Sequence, residues 1–559
     1  MILQILNRSF KNFLNKRLDK QEELYPYIYS IYFKNLTTKT KKRITTEPIK
    51  CSQCGAVLVD FKEIINDPNI GASFKCKFCG TLNAISQEHT IENLPDDIDF
   101  IIEDVVEKSG QTQNTTKIKA TEGELYIAVI DISGSMNGAK IEAVKQSLVQ
   151  TIRDFKVNSQ TTKFILIAFE SSVYYYLRYE DSPLSFDGDI LFSTDGMKAE
   201  LRKYLKENTF LGSIGEFADG WIDIVKNLRS MDMTALGPAL FMAAATFELL
   251  ESKSSGRLTL LTDGLANRGI GNLSGPNVSA EKFYEQMADL CNANNVVVDV
   301  VGVSSPGDNN EMGLQTLGKL TDNTGGNLYL ISSQEMEAAF SELRQRKYLG
   351  KDVKVRLITP KDIEIKNITG AYSSKHVKDP ELNLGAVTED REIYIELNPP
   401  KNFKSIKEEE IPIQLQVEYK DADGRKRLRV MNDRISVTDD EKTFKTSYNQ
   451  ELNAMMNIQA AGSEYYSGKA TKSKKRLKTY KKNLMNEMAS LGGVSQNSFS
   501  KSIDFIDDEI NEIEEEQDTM QAQAAPKASY MASKGQMRSR MSRELKELKI
   551  KKKHEDETE

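Results

Sequence analysis

The sequence predicts a multidomain α/β protein built around a doubly wound, mostly parallel sheet. A cysteine-held ribbon, a β-sandwich and a helical region extend it. Three observations lead there. Between Glu124 and about Tyr348, continuous apolar runs alternate with helical periodicity, the pattern of buried parallel strands crossed over by helices. Two Cys-x-x-Cys pairs precede that stretch, and short runs of alternating apolar and polar residues follow it. At 559 residues the chain is also long for a single core.

Composition narrows the classes. Hydrophobic residues make up 39% and charged residues 28%, as in ordinary soluble proteins. A net charge of -7 gives no general attraction to nucleic acid or anionic membrane, so no nucleic-acid partner is expected. No apolar stretch approaches the roughly 20 residues that span a bilayer, so no transmembrane segment is expected. Of five cysteines, four stand in two close pairs, which is unlike a disulfide framework. A reducing, cytoplasmic setting is the simplest expectation.

Residues 1–50 are expected to hold a helix and a strand. Ile2, Ile5, Leu6, Phe10, Phe13, Leu14 and Leu18 fall near helical spacing, with Arg8, Lys11, Lys16 and Arg17 between them. That pattern predicts an amphipathic helix docked on a core; a transit peptide or a membrane-surface helix is the alternative. Leu24 to Phe33 is Tyr-rich and strand-like. Residues 51–86 hold Cys51-x-x-Cys54 and Cys76-x-x-Cys79, four thiolates in two knuckles, the donor set of a tetrahedral zinc ribbon. Two unrelated pairs, or redox pairs, are the competing readings. Residues 87–120 are polar and acidic and predict a linker.

The α/β domain is expected over 121–348. Its candidate strands are Leu125–Asp131, Phe164–Phe169, Leu258–Thr262, Val296–Val303 and Asn327–Ile331. Ile141, Val144, Leu148, Ile152 and Phe155 form one helical face between the first two. A β-sandwich is predicted over 349–440, helices over 441–516, and a disordered tail over 517–559. The Lys-rich Lys472 to Lys482 reads as a solvated helix face.

One constellation carries chemistry. Asp131-Ile-Ser133-Gly-Ser135 closes the first apolar strand, and Asp263 closes the strand at Leu260-Leu-Thr-Asp-Gly264. In an open parallel sheet both carboxylates would reach the crevice beyond the strand ends. Thr234, in Met233-Thr-Ala-Leu-Gly237, would bring a third hydroxyl from another loop. Two carboxylates and three hydroxyls suit a hard cation such as magnesium, with positions left for water or an incoming ligand. Taken alone, Asp-x-Ser-Gly-Ser could equally be a polar turn that caps a helix. Extra sequence around Asp181 to Gly220 lengthens the interval to Thr234 and could cover the site.

Asp-x-Ser-x-Ser with a distant Thr and a distant Asp-Gly resembles the metal-ion-dependent adhesion site of von Willebrand factor type A domains, and residues 124 to 348 resemble that family over its length. The resemblance implies that Ser133, Ser135 and Thr234 contact magnesium, that Asp131 and Asp263 hold it directly or through water, and that a partner's Asp or Glu fills the open position. Ribbon, type A domain, then β-rich and helical regions together resemble the inner-coat subunits of COPII vesicles. Two departures stand beside that likeness: no room is left for a gelsolin-like C-terminal domain, and the adhesion site is intact, whereas coat trunks have generally lost it.

Two functions are therefore expected. The first is an intracellular, magnesium-dependent protein-interaction scaffold. The alternative is a COPII-coat-like component of ER-to-Golgi trafficking, peripheral to a membrane. A metal-dependent hydrolase is a distant third and no enzyme is expected. His89, His376 and His554 join no triad, and no G-x-x-x-x-G-K-[ST] loop is present.

Overall fold

The computed structural model describes residues 3–5, 9–11, 25–33, 36–37, 42–44, 47–59, 64–85, 94–102, 118–119, 124–208, 211–230, 233–251, 256–264, 266–273, 278–304, 314–334, 336–369, 381–389, 391–398, 410–421, 424–438 and 470–490, with scattered positions between 450 and 511. They fall into two units. One comprises Met1–Thr115, Lys347–Asn457 and Lys478–Phe505; the other comprises Thr116–Arg346, Ile458–Leu477 and Ile506–Glu559.

The second unit holds the α/β domain. In chain order its elements are β1 (Leu125–Asp131), α1 (Ala139–Asn158), β2 (Lys163–Phe169), β3 (Val173–Tyr176), β4 (Leu184–Phe186), α2 (Thr194–Glu207), α3 (Ile214–Lys226), α4 (Leu236–Leu249), β5 (Gly256–Thr262), α5 (Val278–Ala293), β6 (Val296–Ser304), α6 (Leu314–Thr324), β7 (Leu328–Ser332) and α7 (Met336–Gln345). The sheet runs β4-β3-β2-β1-β5-β6-β7. From β2 through β7 its pairings are parallel, and β3 and β4 add an antiparallel edge. That edge lies in sequence whose strands the apolar-run pattern missed, because Val173-Tyr-Tyr-Tyr alternates instead of running apolar throughout.

Every residue of β1 is buried, as a central strand with helices on both faces requires. Tyr126, Ala128 and Ile130 join Val144, Leu148 and Ile152 of α1, Trp221 of α3 and Phe340 of α7 in one core. Helices α2, α4, α5 and α6 pack in succession in a second group. β1 has β2 on one side and β5 on the other, so the chain reverses its winding direction between β1 and β5. A ligand crevice belongs at that reversal, beyond the carboxyl ends of both strands.

The first unit is a ribbon joined to a two-sheet sandwich. One sheet orders Leu3–Ile5, Tyr27–Tyr32, Glu392–Asn398 and Glu364–Thr369. The other runs Glu381–Thr388, Tyr348–Ile358, Glu410–Lys420, Lys426–Thr438, Asp97–Ile102 and Lys42–Ile44, and Ser9–Lys11 also pairs with Lys426–Thr438. Tyr29, Ile31, Val353, Val355, Ile393, Ile395, Leu415 and Val417 fill the space between the sheets.

Three expectations need correction here. The described parts of the first 18 residues are strands, because Leu3–Ile5 finds an open edge at Tyr27–Tyr32 and Ser9–Lys11 finds Lys426–Thr438. Asp97–Ile102, inside the expected linker, is a strand, buried at Ile98 and Phe100. The sandwich is consequently not confined to 349–440: it takes strands from both sides of the α/β domain. The expected tail over 517–559 and the three histidines lie outside the described residues.

In the helical region, Ala470–Ser490 forms one helix with Leu477, Tyr480 and Leu484 buried and Lys472, Lys475, Lys478 and Lys482 exposed.

Candidate metal centres

Three strand ends converge at the reversal. Asp131, fully buried, terminates β1, and its Oδ1 accepts the Ser133 backbone N–H at 2.8 Å. The register Ile130–Leu261 sets Thr262 of β5 beside Asp131, and the Thr262 hydroxyl donates to Asp131 Oδ2 at 2.6 Å. At the end of β2, the Glu170 carbonyl accepts the Ala235 N–H at 2.6 Å, which brings in the Thr234 segment. Asn267 holds Thr234 from both sides: its Oδ1 accepts the Thr234 N–H at 3.0 Å and its N–H donates to the Thr234 carbonyl at 3.1 Å.

The five predicted residues come together. Ser133 and Ser135 hydroxyls lie 3.1 Å apart, and Ser135 donates to Asp263 Oδ1 at 2.6 Å. A methyl group built on Gly264 would sit 3.9 Å from both Ser135 Oγ and Thr234 Oγ1, so these hydroxyls flank one point. Asp131, Ser133, Thr234 and Asp263 are buried, while Ser135 stays exposed. The insert carries β4 and α2, and its Leu191 carbonyl accepts the Ile270 N–H at 3.0 Å, so it braces the loop after Asp263.

Burial pushes the Asp131 carboxyl up to about 6; hydrogen bonds from Ser133 and Thr262 pull it down, and the Asp263 charge adds to the rise. A carboxylate so poorly compensated by its surroundings, next to three hydroxyls and with no imidazole or thiolate among the five residues, fits a hard divalent cation.

The site also contains residues that the sequence reading did not assign. Thr262 directly precedes Asp263, yet its hydroxyl serves Asp131 on the neighbouring strand, a relation only the parallel register creates. Lys140, the second residue of α1, is buried and places Nζ 2.6 Å from Asp263 Oδ2. The legible signal was a lysine in the first turn of a helix, where the helix dipole favours acids.

The four cysteines gather in the first unit. Their sulfurs lie within 4.8 Å of one another, with Cys51–Cys79 and Cys54–Cys76 each at 3.5 Å. Those spacings are far beyond a disulfide bond and close to the roughly 3.8 Å between sulfurs of a tetrahedral zinc site. The knuckles repeat one geometry: Gly55 N–H to Cys51 carbonyl at 2.9 Å, Gly80 N–H to Cys76 carbonyl at 2.8 Å, with both glycines at positive φ. Burial raises the Cys54 and Cys76 thiols, whereas at Cys79 hydrogen bonds with Thr81, Cys51 and Cys54 outweigh burial and bring it to about 6, which favours its thiolate. Asn83 donates to Cys51 Sγ at 3.5 Å. From the sandwich, the Gln414 side chain exchanges hydrogen bonds with the Val57 backbone at 2.7 and 2.8 Å, and Gln416 donates to the Gly55 carbonyl at 2.8 Å. The cluster could hold zinc, and the sandwich orients it.

A mostly parallel α/β domain, a four-cysteine ribbon and a sandwich woven from distant segments define the class: a multidomain trunk-and-sandwich protein. Comparison with known proteins names it. Residues 122–349 match the family model of the Sec23/Sec24 trunk domain and residues 350–438 that of the Sec23/Sec24 beta-sandwich domain. The two models adjoin and cover more than half of the sequence. The chain belongs to the Sec23/Sec24 family. Among solved structures it resembles the human COPII-coat protein Sec24c, with a TM-score of 0.61, 15% identity, and 86% of this chain and 67% of that one covered; at that identity the likeness is one of fold. A curated relative, Circularly permutated Ras protein 1 of Dictyostelium discoideum, is 25% identical over 453 residues, 75% of this chain. This chain spans about half, 51%, of that relative. The family favours the coat-like alternative over the general scaffold expected first.

Proposed function

We propose that this chain is a COPII-coat-like component of ER-to-Golgi trafficking that works by binding other proteins at the cytoplasmic face of a membrane. The observation that carries this reading is the continuous run of Sec23/Sec24 trunk and beta-sandwich over residues 122–438, with a four-cysteine cluster before it. No helix among the described residues is long and apolar enough to cross a membrane, in keeping with peripheral attachment. Co-fractionation of the full chain with ER exit membranes tests the reading. A distribution that never overlaps those membranes would overturn it.

A second element of the proposal concerns the trunk crevice. Asp131, Ser133, Ser135, Thr234 and Asp263 would hold magnesium there, and Cys51, Cys54, Cys76 and Cys79 would hold a structural zinc. Bound magnesium would supply a positive centre with an open position for a partner's Asp or Glu. The exposed Ser135 beside buried carboxylates supports it. A pull-down comparing wild type with Asp131→Ala, with and without EDTA, tests it; identical partner sets in every arm would sink the metal-bridged contact while leaving the coat reading intact.

A further inference from the structure

The Lys140 ammonium sits in the trunk crevice as a cation of the chain's own. It is buried, its Nζ lies 2.6 Å from Asp263 Oδ2, and Asp263 Oδ1 meanwhile accepts the Ser135 hydroxyl at 2.6 Å. Asp131, the second buried carboxylate, accepts only from neutral groups among its hydrogen bonds, the Ser133 N–H and the Thr262 hydroxyl. Lys140 also stands at the positive end of α1, where the helix itself disfavours an ammonium. Its place there depends on the negative crevice.

We propose that Lys140 makes metal and partner binding interdependent, an inference that rests on the magnesium reading of the crevice. The charge count gives the mechanism. Asp131, Asp263 and Lys140 form a set of net charge -1 without metal. A divalent ion takes it to +1, and a partner's carboxylate returns it to zero. At low dielectric an uncompensated charge is costly, so the ion is held weakly until the carboxylate arrives, and the carboxylate binds only with the ion. With a neutral residue at 140 the count is -2 without metal and zero with metal alone. Such a crevice would hold its ion without a partner. Lys140 thereby turns a metal site into a two-component lock that stays weakly loaded until docking.

The test titrates manganese, followed by its electron paramagnetic resonance, into the full chain with and without acetate as the carboxylate probe. Lys140→Met is expected to bind manganese at least about tenfold more tightly than wild type, a typical size for coupling between sites. Acetate should tighten wild-type binding several-fold and Lys140→Met little. Lys140→Arg, which keeps the charge, should behave as wild type, so loss of packing is separated from loss of charge; circular dichroism monitors the fold of each. Equal affinity and equal acetate response in wild type and Lys140→Met would overturn the role of Lys140 while leaving the metal reading standing. No manganese binding by any of the three would overturn both.

Discussion

Asp131 shows how a single buried carboxyl ties stability to pH. Its carboxyl is fully buried and stands at about 6, against an ordinary value of 3.8. The folded chain therefore binds that proton more tightly than the unfolded chain between those two values. The contribution to stability is fully present below pH 3.8 and is lost as pH rises through 6, up to about 3 kcal/mol by linkage. In EDTA, the thermal midpoint is expected to fall between pH 4 and pH 7, and Asp131→Asn should flatten that fall. An Asp131→Asn profile as steep as wild type would show that another group is responsible. At the ribbon, where the four cysteines could hold a zinc, Cys51→Ser is expected to lower the zinc content, and elemental analysis of both proteins checks it; an unchanged zinc content refutes the site.

At the scale of the element, the strand Asp97–Ile102 is decided by charge as much as by apolar alternation. Arg429, only 1% exposed, pairs bidentately with Asp97 at 2.9 and 2.7 Å and donates to the Leu36 carbonyl at 2.7 Å; Arg427 pairs with Asp99. Asp99→Ala removes the two-pronged partner of buried Arg427 but leaves it Asp421 at 3.1 Å, so a cost of about 1–3 kcal/mol is expected in urea unfolding, and no loss would contradict the buried pair. In the sequence these carboxylates look like part of an acidic linker, because their partners lie more than 300 residues away. A similar dependence holds the loop after Asp263. The Ile270 carbonyl would lie 1.9 Å from a methyl group at Gly237, so Gly237→Ala must displace the loop after Asp263. It is expected to weaken manganese binding and to cost about 1–3 kcal/mol; wild-type affinity and melting would show that the loop yields freely.

For the whole molecule, the sandwich draws strands from before and after the trunk sequence, so neither stretch makes a complete sheet. Deleting residues 1–46 removes Tyr27–Tyr32 and leaves Glu392–Asn398 with an unpaired edge. The shortened chain is expected to elute as aggregates in size-exclusion chromatography, and a monodisperse product with wild-type melting would contradict this. Much of the trunk was legible because parallel strands buried on both faces must read as apolar runs, as Leu125–Asp131 does. The Tyr-rich strand Tyr27–Tyr32 was legible as well, whereas the antiparallel edge β3–β4 and strands such as Leu3–Ile5, Ser9–Lys11 and Asp97–Ile102 were not, since half-exposed or short strands leave only a weak period-two trace.

By itself the sequence determined the alternation that makes the trunk, the two cysteine knuckles and the list of oxygens at the strand ends. Each is a local pattern: burial on both faces, a glycine-closed turn, a carboxylate or hydroxyl at the end of an apolar run. Tertiary structure decided which of those oxygens meet, which strands complete the sandwich, and that Lys140 lies against Asp263. These depend on register and on contacts between residues a hundred or more positions apart, where the chain's spacing carries no signal and only packing selects the neighbour.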